Sequence, residues 1–548
     1  MRKSKTLLAL LVALIMIFCS ACGSAGTTQS APASMEPESP APAAEEAANT
    51  DAEPVSEYEV EVLRLGDGVD RGAPNPFRRN TDGIGMTRTS LIFDTLLQYG
   101  ETAAVPWLAE YTIGEDQKSF TFTINPNATW HDGVDVTSED IGFTLDYYKQ
   151  FPDTSNYLGT DENYLVDSYE IVDEDTIIVH MKNVSTTNIQ KFCNVNMIPK
   201  HVWEKVDDPY TYDGEDAFIG CGMYKLLKYD GATGVYQYEA YEDYYGHKPG
   251  AHYIDVSPVS DQVLSFNAGD VDIINCPPDL FDTYSNTEGV SIFDASGSMG
   301  YRLAINFDAV PELKDFEVRK ALFEAIDRQA IADSVFRGFA TPASAGSVPQ
   351  DTPFYTDEVA KYEFDTEAAK AVLEPLNLKL DIIISDDGSG TTTAIAEMVK
   401  MNWEAAGVTV TVSPYESQIR YEKITKGEYQ IALQGNGGWN TFPETIVLRT
   451  YSDTLRATPN ARQLCSSNWS NPELTAIVDG LSFIMDDDAR MEAYHKAQIM
   501  ASEELQVLPL VTVSTYFAFN SNHYNGWQKN VQNVTPTSNL VSFTSDHI

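Results

Sequence analysis

Two cysteines near the amino terminus, Cys19 and Cys22, have the spacing C-x-x-C, which could serve a redox dithiol or half of a metal site. A redox motif of this kind needs a strand before it and a helix after it. Here Arg2 and Lys3 precede an apolar run over residues 7–18, and small residues follow. That order is typical of a secretory signal peptide, and the run is shorter than the roughly 20 residues that span a bilayer. The pattern predicts an exported protein and disfavours a redox site.

The stretch Ser20-Ala21-Cys22-Gly23 resembles the lipobox of bacterial lipoproteins, in which the cysteine becomes the lipidated first residue. Cys19 departs from that motif, because its position usually carries Leu. We expect residues 1–22 to be a lipoprotein signal peptide with a lipid on Cys22, and simple cleavage is the alternative. Residues 23–56 contain Ala, Pro, Glu, Ser and Thr with almost no large apolar side chain, which predicts a disordered tether.

The remaining sequence was searched for catalytic and metal-binding motifs. It contains no H-E-x-x-H, no phosphate-binding G-x-x-x-x-G-K-[ST] and no EF-hand loop, and GSMG at 297–300 misses the G-x-S-x-G pattern. His131 in WHDG and His247 in YYGHKPG fall in turns, where a structural hydrogen bond is the simpler interpretation. No metal and no cofactor are predicted, and nothing in the sequence argues for an enzyme.

Composition narrows the classes of partner. The 548 residues carry a formal net charge of −45, a surface that repels nucleic acid phosphates. Hydrophobic residues make up 43%, and about 490 residues follow the tether, enough for two or three domains with substantial cores. Four cysteines lie in this part, and we expect Cys193 to pair with Cys221, although the sequence leaves three pairings open.

Hydrophobic periodicity suggests the elements. YEVEVLRLG (58–66) alternates like a strand, and residues 88–100 are expected to form an amphipathic helix closed by Gly100. TSEDIGFTLDYYKQ (137–150) predicts a helix with a capping box from Thr137 to Asp140. FEVRKALFEAIDRQAIADSVFRG (316–338) has a 3.6-residue apolar stripe that predicts a helix ending at Gly338. Beyond it, alternating strands and helices predict a mixed sheet with helices on its faces.

A series of motifs then resembles one family. Residues 105–150 are similar to the signature region of the extracytoplasmic solute-binding proteins of the peptide/nickel ABC-importer family, solute-binding protein family 5. The match runs through Leu108, Ala109, Glu110, Phe120, Phe122, His131, Asp132, Gly133, Glu139, Asp140 and Phe143. Asn125 departs from the usual Lys or Arg. Further matches, in the family's order, are MIPKHVWEKV, GCGMYKL (with Cys221 and Met223 in place of Thr and Pro), FNAGDVDI and VRKALFEAIDRQAIADSVFRGFATPA.

The resemblance implies an α/β fold, a bilobed periplasmic-binding-protein-like clamp of type II with an extra small domain inserted in the first lobe. We expect lobe I to be discontinuous, built from residues 57–99, 218–303 and 508–548. The inserted small domain would span residues 100–217, and lobe II residues 304–507. Function would then be capture of a small solute by hinge closure and delivery to permease subunits in the membrane.

In peptide-binding members, the loop that matches residues 435–444 carries an Asp that pairs with the peptide's ammonium group. Here Trp439 takes that position, Asn436 and Asn440 lie beside it, and Glu444 could substitute for the Asp. An indole offers at best a cation–π contact to a buried ammonium, so a sugar, a nickel chelate or another small organic ligand stays open beside peptide. Trp439 packing between the lobes without touching solute is the structural alternative.

The resemblance also suggests residues outside that loop. Phe77 could line the cleft wall, and Tyr301 and Arg302 lie near the crossover between lobes, where Arg302 could meet an anionic group. Tyr301 and Arg302 could equally serve hinge packing. We expect a monomer held at the outer face of the cell membrane by its lipid, with a peptide or small-molecule ligand, ABC permease partners and no nucleic acid. A cell-surface sensor or enzyme that uses the same clamp is the alternative function.

Overall fold

The computed structural model describes residues 58–67, 72–77, 88–99, 104–152, 158–159, 163–294, 299–386, 390–437, 448–456 and 468–527. These residues all fall in one unit that spans 56–548. The predicted signal peptide, the lipidated Cys22 and the tether lie outside the described residues. None of the described helices is both long and apolar enough to cross a bilayer.

The described elements alternate between strands and helices along the whole chain. The strands are β1 (Val60–Asp67), β2 (Leu97–Tyr99), β3 (Ala104–Pro106), β4 (Ala109–Ile113), β5 (Ser119–Ile124), β6 (Val166–Ile171), β7 (Thr176–Met181), β8 (Tyr224–Asp230), β9 (Val235–Ala240), β10 (Ala251–Pro258), β11 (Ile273–Asn275), β12 (Val290–Asp294), β13 (Met299–Ile305), β14 (Ala340–Pro342), β15 (Lys379–Ser385), β16 (Thr409–Tyr415), β17 (Ile431–Gly437), β18 (Val507–Val513) and β19 (Tyr516–Asn520). The α-helices are α1 (Ser138–Gln150), α2 (Asn188–Lys191), α3 (Lys200–Trp203), α4 (Gln262–Ala268), α5 (Phe281–Ser285), α6 (Phe316–Glu324), α7 (Arg328–Val335), α8 (Thr366–Leu373), α9 (Thr391–Ala405), α10 (Ser417–Lys426), α11 (Asp453–Arg456), α12 (Pro472–Gly480) and α13 (Asp487–Glu504).

Three sheets organise these elements. A seven-stranded sheet has the order β12-β19-β11-β1-β10-β9-β8, and a six-stranded sheet has the order β14-β18-β13-β17-β15-β16. A four-stranded antiparallel sheet, β4-β5-β7-β6, lies within the segment predicted as an insertion, and β2 pairs with β3. We call the seven-stranded sheet with its helices lobe I, the segment 104–217 the small domain, and the six-stranded sheet with its helices lobe II.

The two large sheets exchange the chain at two places, which we call the crossovers. The first lies between β12 of lobe I and β13 of lobe II, and the second between β18 of lobe II and β19 of lobe I. A single apolar stretch of sequence, residues 506–519, supplies both strands of the second crossover. The expected boundaries at 303/304 and 507/508 therefore cut into strands of lobe II. Met299 and Val513 pair with each other at the ends of β13 and β18, so we place the boundaries of lobe II at these two residues.

One expected helix, residues 88–100, is replaced by a different structure. Only residues 88–90 of it are helical, and the chain then turns and ends in β2. The carbonyls of Leu91 and Ile92 accept hydrogen bonds from the backbone N–H groups of Tyr224 (2.9 Å) and Gly222 (2.7 Å). A helix would need those carbonyls for its own ladder, so tertiary pairing prevails over the local pattern.

The small domain begins its helix as predicted. The Asp140 carboxylate accepts from the Thr137 backbone N–H at 2.9 Å and from its hydroxyl at 3.0 Å, at the amino-terminal end of α1. The other Asp140 oxygen accepts from the Lys200 backbone N–H at 2.9 Å. One carboxylate thus caps α1 and ties the start of α3 to it.

Lobe II has the predicted alternation, since β15 pairs in parallel with both β16 and β17 and helices connect the three strands. The long stripe at 316–338 forms two helices, α6 and α7, instead of one. Asp327 interrupts it, because its carboxylate accepts from the Ala330 backbone N–H at 2.8 Å while its own N–H donates to the Asn402 side chain at 3.1 Å. Those bonds start a new helix at Arg328.

The expected disulfide between Cys193 and Cys221 is wrong, because both are free, buried thiols. Cys193 lies beside Tyr111, whereas Cys221 lies beside Asp94 and Tyr244. Burial raises the pKa of Cys193 to about 12 and that of Cys221 well above its ordinary value. Each therefore behaves as a small apolar side chain in the core of lobe I and the small domain.

Candidate functional site

Three of the residues suggested by sequence lie on two neighbouring central strands of lobe II. In the antiparallel pair of β13 and β17, Tyr301 is opposite Gly435, Arg302 opposite Gln434, and Asn436 opposite Gly300. Met299, the first residue after a crossover, is opposite Gly437, the last residue of β17. The loop that follows β17 therefore starts beside the crossover. Trp439, Asn440 and Glu444 belong to that loop and lie outside the described residues.

Tyr301 is half-buried and lies beside Gly435 of β17. An added Cβ at Gly435 would be only 2.8 Å from Cε1 of the Tyr301 ring, closer than real Cβ atoms approach their neighbours. The ring also lies 5.7 Å from the ring of Phe336, between centroids. Gly435 thus lets the tyrosine ring lie against the β17 backbone, and the ring forms part of the surface from which the loop emerges.

Arg302 lies inside the lobe, with only 1% of its surface exposed. Its Nε donates to Oε1 of Gln434 at 3.2 Å. Its charge also acts on Tyr451, whose hydroxyl shares a hydrogen bond with the Ser347 hydroxyl at 2.7 Å. Burial raises the pKa of Tyr451, and Arg302 opposes that rise. In this conformation, Arg302 is a buried positive charge under the base of the loop, and it offers almost no surface to a solute.

Phe77 packs into an aromatic cluster of the small domain and has 1% of its surface exposed. Its ring centroid lies 4.9 Å from that of Tyr148 and 5.1 Å from that of Trp203. Asn75 fixes the segment, because its side-chain nitrogen donates to the Tyr212 carbonyl at 2.9 Å and its oxygen accepts from the Phe77 N–H at 2.7 Å. These contacts fasten the start of lobe I to the small domain and leave the ring no surface for a solute.

His131 makes the structural contacts expected of it. Nε2 lies 2.8 Å from the Gly222 carbonyl, and Nδ1 lies 3.3 Å from the Gly220 backbone N–H. A neutral ring with its proton on Nε2 satisfies both bonds, donating to Gly222 and accepting from Gly220. Burial lowers the pKa of His131 to about 4, in keeping with a neutral imidazole. The ring joins the small domain to lobe I.

A buried carboxylate that the sequence search missed lies at the same junction. Asp94 accepts hydrogen bonds from the hydroxyls of Tyr244 at 2.9 Å and Tyr245 at 2.5 Å. Burial raises the pKa of Asp94 to about 6, although these donors lower it. The adjacent tyrosines of EDYYG were the available signal, because paired hydroxyls near a buried segment often satisfy a charge.

A cavity of about 670 Å³ opens elsewhere in lobe II and is lined by residues between Ile326 and Phe364. It shares no lining residue with the β13–β17 pair. No three His, Cys, Asp or Glu side chains within the described ranges are placed to hold a metal ion. Among the described residues of the β13–β17 pair, Tyr301 offers an aromatic ring that lies beside Gly435.

Comparison with known proteins gives one consistent result. A model of bacterial extracellular solute-binding proteins, family 5 (middle region), matches residues 103–457. A dipeptide-binding protein from Escherichia coli K12 is 23% identical over 482 residues, covering 81% of this chain and 88% of that protein.

Solved structures extend the comparison to the fold. The ABC transporter substrate-binding protein CtaP from Listeria monocytogenes has a TM-score of 0.75 at 24% identity, covering 87% of this chain and 99% of that one. NikA from Brucella suis, solved with Fe(III)-EDTA, has a TM-score of 0.74 at 19% identity, covering 88% of this chain and all of that one (100%). These similarities confirm the predicted α/β bilobed clamp.

Proposed function

Because the chain belongs to the bacterial extracellular solute-binding proteins of family 5, and so serves an ABC importer as its substrate-binding protein, we propose that its solute is an oligopeptide held between lobe I and lobe II. The resemblance seen in the motifs is thereby confirmed. Peptide is favoured because the E. coli relative is named for dipeptides. A metal chelate is the second candidate, since the NikA structure contains Fe(III)-EDTA.

One observation supports a site between the lobes more than any other. The loop after β17 begins at Gly437, which is paired with Met299, the residue at which the chain enters lobe II. We propose that this loop lies where the two lobes meet, so that a solute held there would be enclosed when they approach. Tyr301 beside Gly435 would supply one wall, and Asn436 would supply amide hydrogen bonds.

We propose that Trp439 and Asn440 contact the solute from this loop and that Glu444 pairs with a peptide's ammonium group. A buried ammonium needs a carboxylate, because an indole alone recovers little of the lost hydration. Arg302 would act indirectly, by fixing Gln434 under the loop. Phe77 would hold the small domain in place without touching the solute.

We further propose that the protein is a monomer, that it performs no covalent chemistry, and that a lipid on Cys22 keeps it at the outer face of the membrane beside its permease. The signal-peptide pattern and the polar tether support the anchor. The family supports an extracytoplasmic location and permease partners. A lipid at the first residue would leave both lobes free to move.

Native mass spectrometry of the purified mature protein tests the solute class. Spectra are recorded before and after mild denaturation, which releases any trapped molecule. A set of short peptides supports the proposal and requires a carboxylate such as Glu444 at the site. A single chelate, sugar or other small molecule refutes the peptide proposal. If the protein is empty, a thermal-shift screen with peptide mixtures and chelates decides, and the absence of any stabilisation by peptides refutes it.

A further inference from the structure

The small domain and lobe II meet at a hydrogen-bonded contact far from the crossovers in sequence. The Ser482 carbonyl of lobe II accepts from the Thr186 backbone N–H at 2.7 Å and from the Thr186 hydroxyl at 3.2 Å. Among the described residues, no other hydrogen bond joins these two parts of the molecule. The two residues are 296 positions apart, so chain connectivity does not force them together.

The Thr186 side of the contact is rigid before it meets its partner. Ser185 and Thr187 share a hydrogen bond between their hydroxyls at 3.0 Å, and the Thr187 N–H donates to the Ser185 hydroxyl at 3.3 Å. Asn188 donates from its side chain to the Asn183 carbonyl at 2.8 Å. The loop therefore presents both Thr186 donors in a fixed direction, and little conformational entropy is lost when they bind.

The Ser482 side is equally fixed. Ser482 lies in a 3₁₀ turn between α12 and α13, and its neighbour Leu481 is fully buried. The Ile484 N–H donates to the Leu481 carbonyl at 3.2 Å, and the Arg490 side chain donates to the Ile484 carbonyl at 2.9 Å. The Ser482 carbonyl is thus held as a preformed acceptor at the surface of lobe II.

Other contacts between the lobes lie next to the second crossover. The rings of Phe281 and Tyr516 from lobe I pack against Phe339 from lobe II, with centroid distances of 4.8 and 5.2 Å. The Ser514 N–H, within the crossover, donates to the Phe339 carbonyl at 2.8 Å. We infer that a rotation about the crossovers moves these residues little and separates Thr186 from Ser482, whose hydrogen bond fails beyond about 3.5 Å.

We propose that the contact of Thr186 with Ser482 is a latch that holds the clamp closed and sets how much of the solute-free protein is closed. This inference rests on the clamp function. The latch uses no residue of the proposed solute site, so it adds the same free energy to closure for every solute. It would raise the apparent affinity for any solute by increasing the closed fraction.

Distances between spin labels measure the closed fraction of the solute-free, full-length chain. Labels are attached at Ile113→Cys of the small domain and Met401→Cys of lobe II, both exposed positions. The exchangeable cysteines at 19, 22 and 465 are replaced by Ser. Pulsed electron–electron double resonance then gives the populations of short and long distances between the two labels. The same sample with its copurified solute returned supplies the closed reference.

The variant Thr186→Val removes one of the two hydrogen bonds and keeps the size of the side chain. We expect the ratio of open to closed molecules to rise about two- to tenfold, the usual effect of one neutral hydrogen bond. Thr123→Val, an exposed threonine on the small-domain sheet, is the matched control and should leave the ratio unchanged. Equal ratios in the two variants would overturn the latch.

A double variant, Thr186→Cys with Ser482→Cys, provides a second test. Because the N···O distance is 2.7 Å, the two α-carbons lie within the reach of a disulfide, about 6.8 Å. In the unlabelled double variant, oxidation should lower the radius of gyration of the solute-free protein, measured by small-angle X-ray scattering, to that of the solute-bound protein, and reduction should raise it again. A radius of gyration that oxidation leaves unchanged refutes the latch. If solute closes the wild type, and the variants at Thr186 and Ser482 have the same closed fraction as the wild type, only the latch proposal is refuted. If solute closes neither the wild type nor the variants, the proposed clamp function itself is refuted.

Discussion

Replacing His131 with Gln should change how stability depends on pH. The folded-state pKa of His131 is about 4, and the ordinary value is about 6.5. The unfolded chain therefore binds a proton more readily between these pH values. The stability contributed by the neutral ring is complete above pH 6.5 and is lost as pH falls toward 4. At about 1.4 kcal/mol per pKa unit, the full loss is about 3 kcal/mol.

The assay is urea unfolding of the wild type and His131→Gln at pH 7 and pH 4.5. The wild type should lose about 2.5 kcal/mol more than the variant between the two pH values, because groups common to both proteins cancel in the difference. His201→Gln is the control, since His201 pairs with Asp132 in a partly exposed position. The reasoning is refuted if wild type and His131→Gln lose the same free energy, or if His201→Gln reproduces the effect.

Three further predictions concern other parts of the molecule. Gly435→Ala should displace the Tyr301 ring and weaken binding of the copurified solute about tenfold, as measured by calorimetry. The control is Gly480→Ala, whose added Cβ meets no atom within 4 Å and which should bind the solute with wild-type affinity. Equal affinities of the two variants would contradict the prediction. Because the folded-state pKa of Asp94 is raised to about 6, the wild type should lose about 3 kcal/mol of stability as pH rises from 4 through 6. Asp94→Asn should not show this loss. Urea unfolding that gives the same pH dependence for both proteins would exclude the prediction. Cys22→Ser should move the protein from the membrane fraction to the soluble fraction on immunoblots, and unchanged partitioning would refute the lipid anchor.

Local sequence signals predicted much of this fold. The capping box from Thr137 to Asp140 works because its donors and acceptor are three residues apart, and such contacts survive any tertiary context. The strands and helices of lobe II follow from their periods of two and 3.6 residues. The family motifs supplied the arrangement of the lobes, which periodicity alone could not give.

The failures arose where distant segments decide the structure. The residues after Arg88 have a helical pattern, yet Tyr224 and Gly222 take their carbonyl groups. Residues 507–520 form both β18 and β19, because the chain changes sheets between these two strands. Cys193 and Cys221 are close in sequence and buried in separate surroundings. None of these outcomes has a local signal.

The proposed site was predicted less completely than the fold. The structure places Tyr301, Arg302 and Asn436 on two strands that pair, whereas the sequence predicted only that Tyr301 and Arg302 lie near the crossover between the lobes. The sequence could not tell that Arg302 points into a buried polar group with Gln434, because one face of β13 is as consistent with a cleft as with a core. The resemblance suggested Phe77 as part of the cleft wall, and only the fold shows Tyr148 and Trp203 packed around it.

The central claim is that one solute is enclosed when the two lobes approach each other. Small-angle X-ray scattering of the mature protein, with its solute removed and then returned at saturating concentration, tests this most directly. The account predicts that the radius of gyration falls when solute is returned and that the change saturates at one molecule per chain. An unchanged radius of gyration with solute demonstrably bound would contradict capture between the lobes.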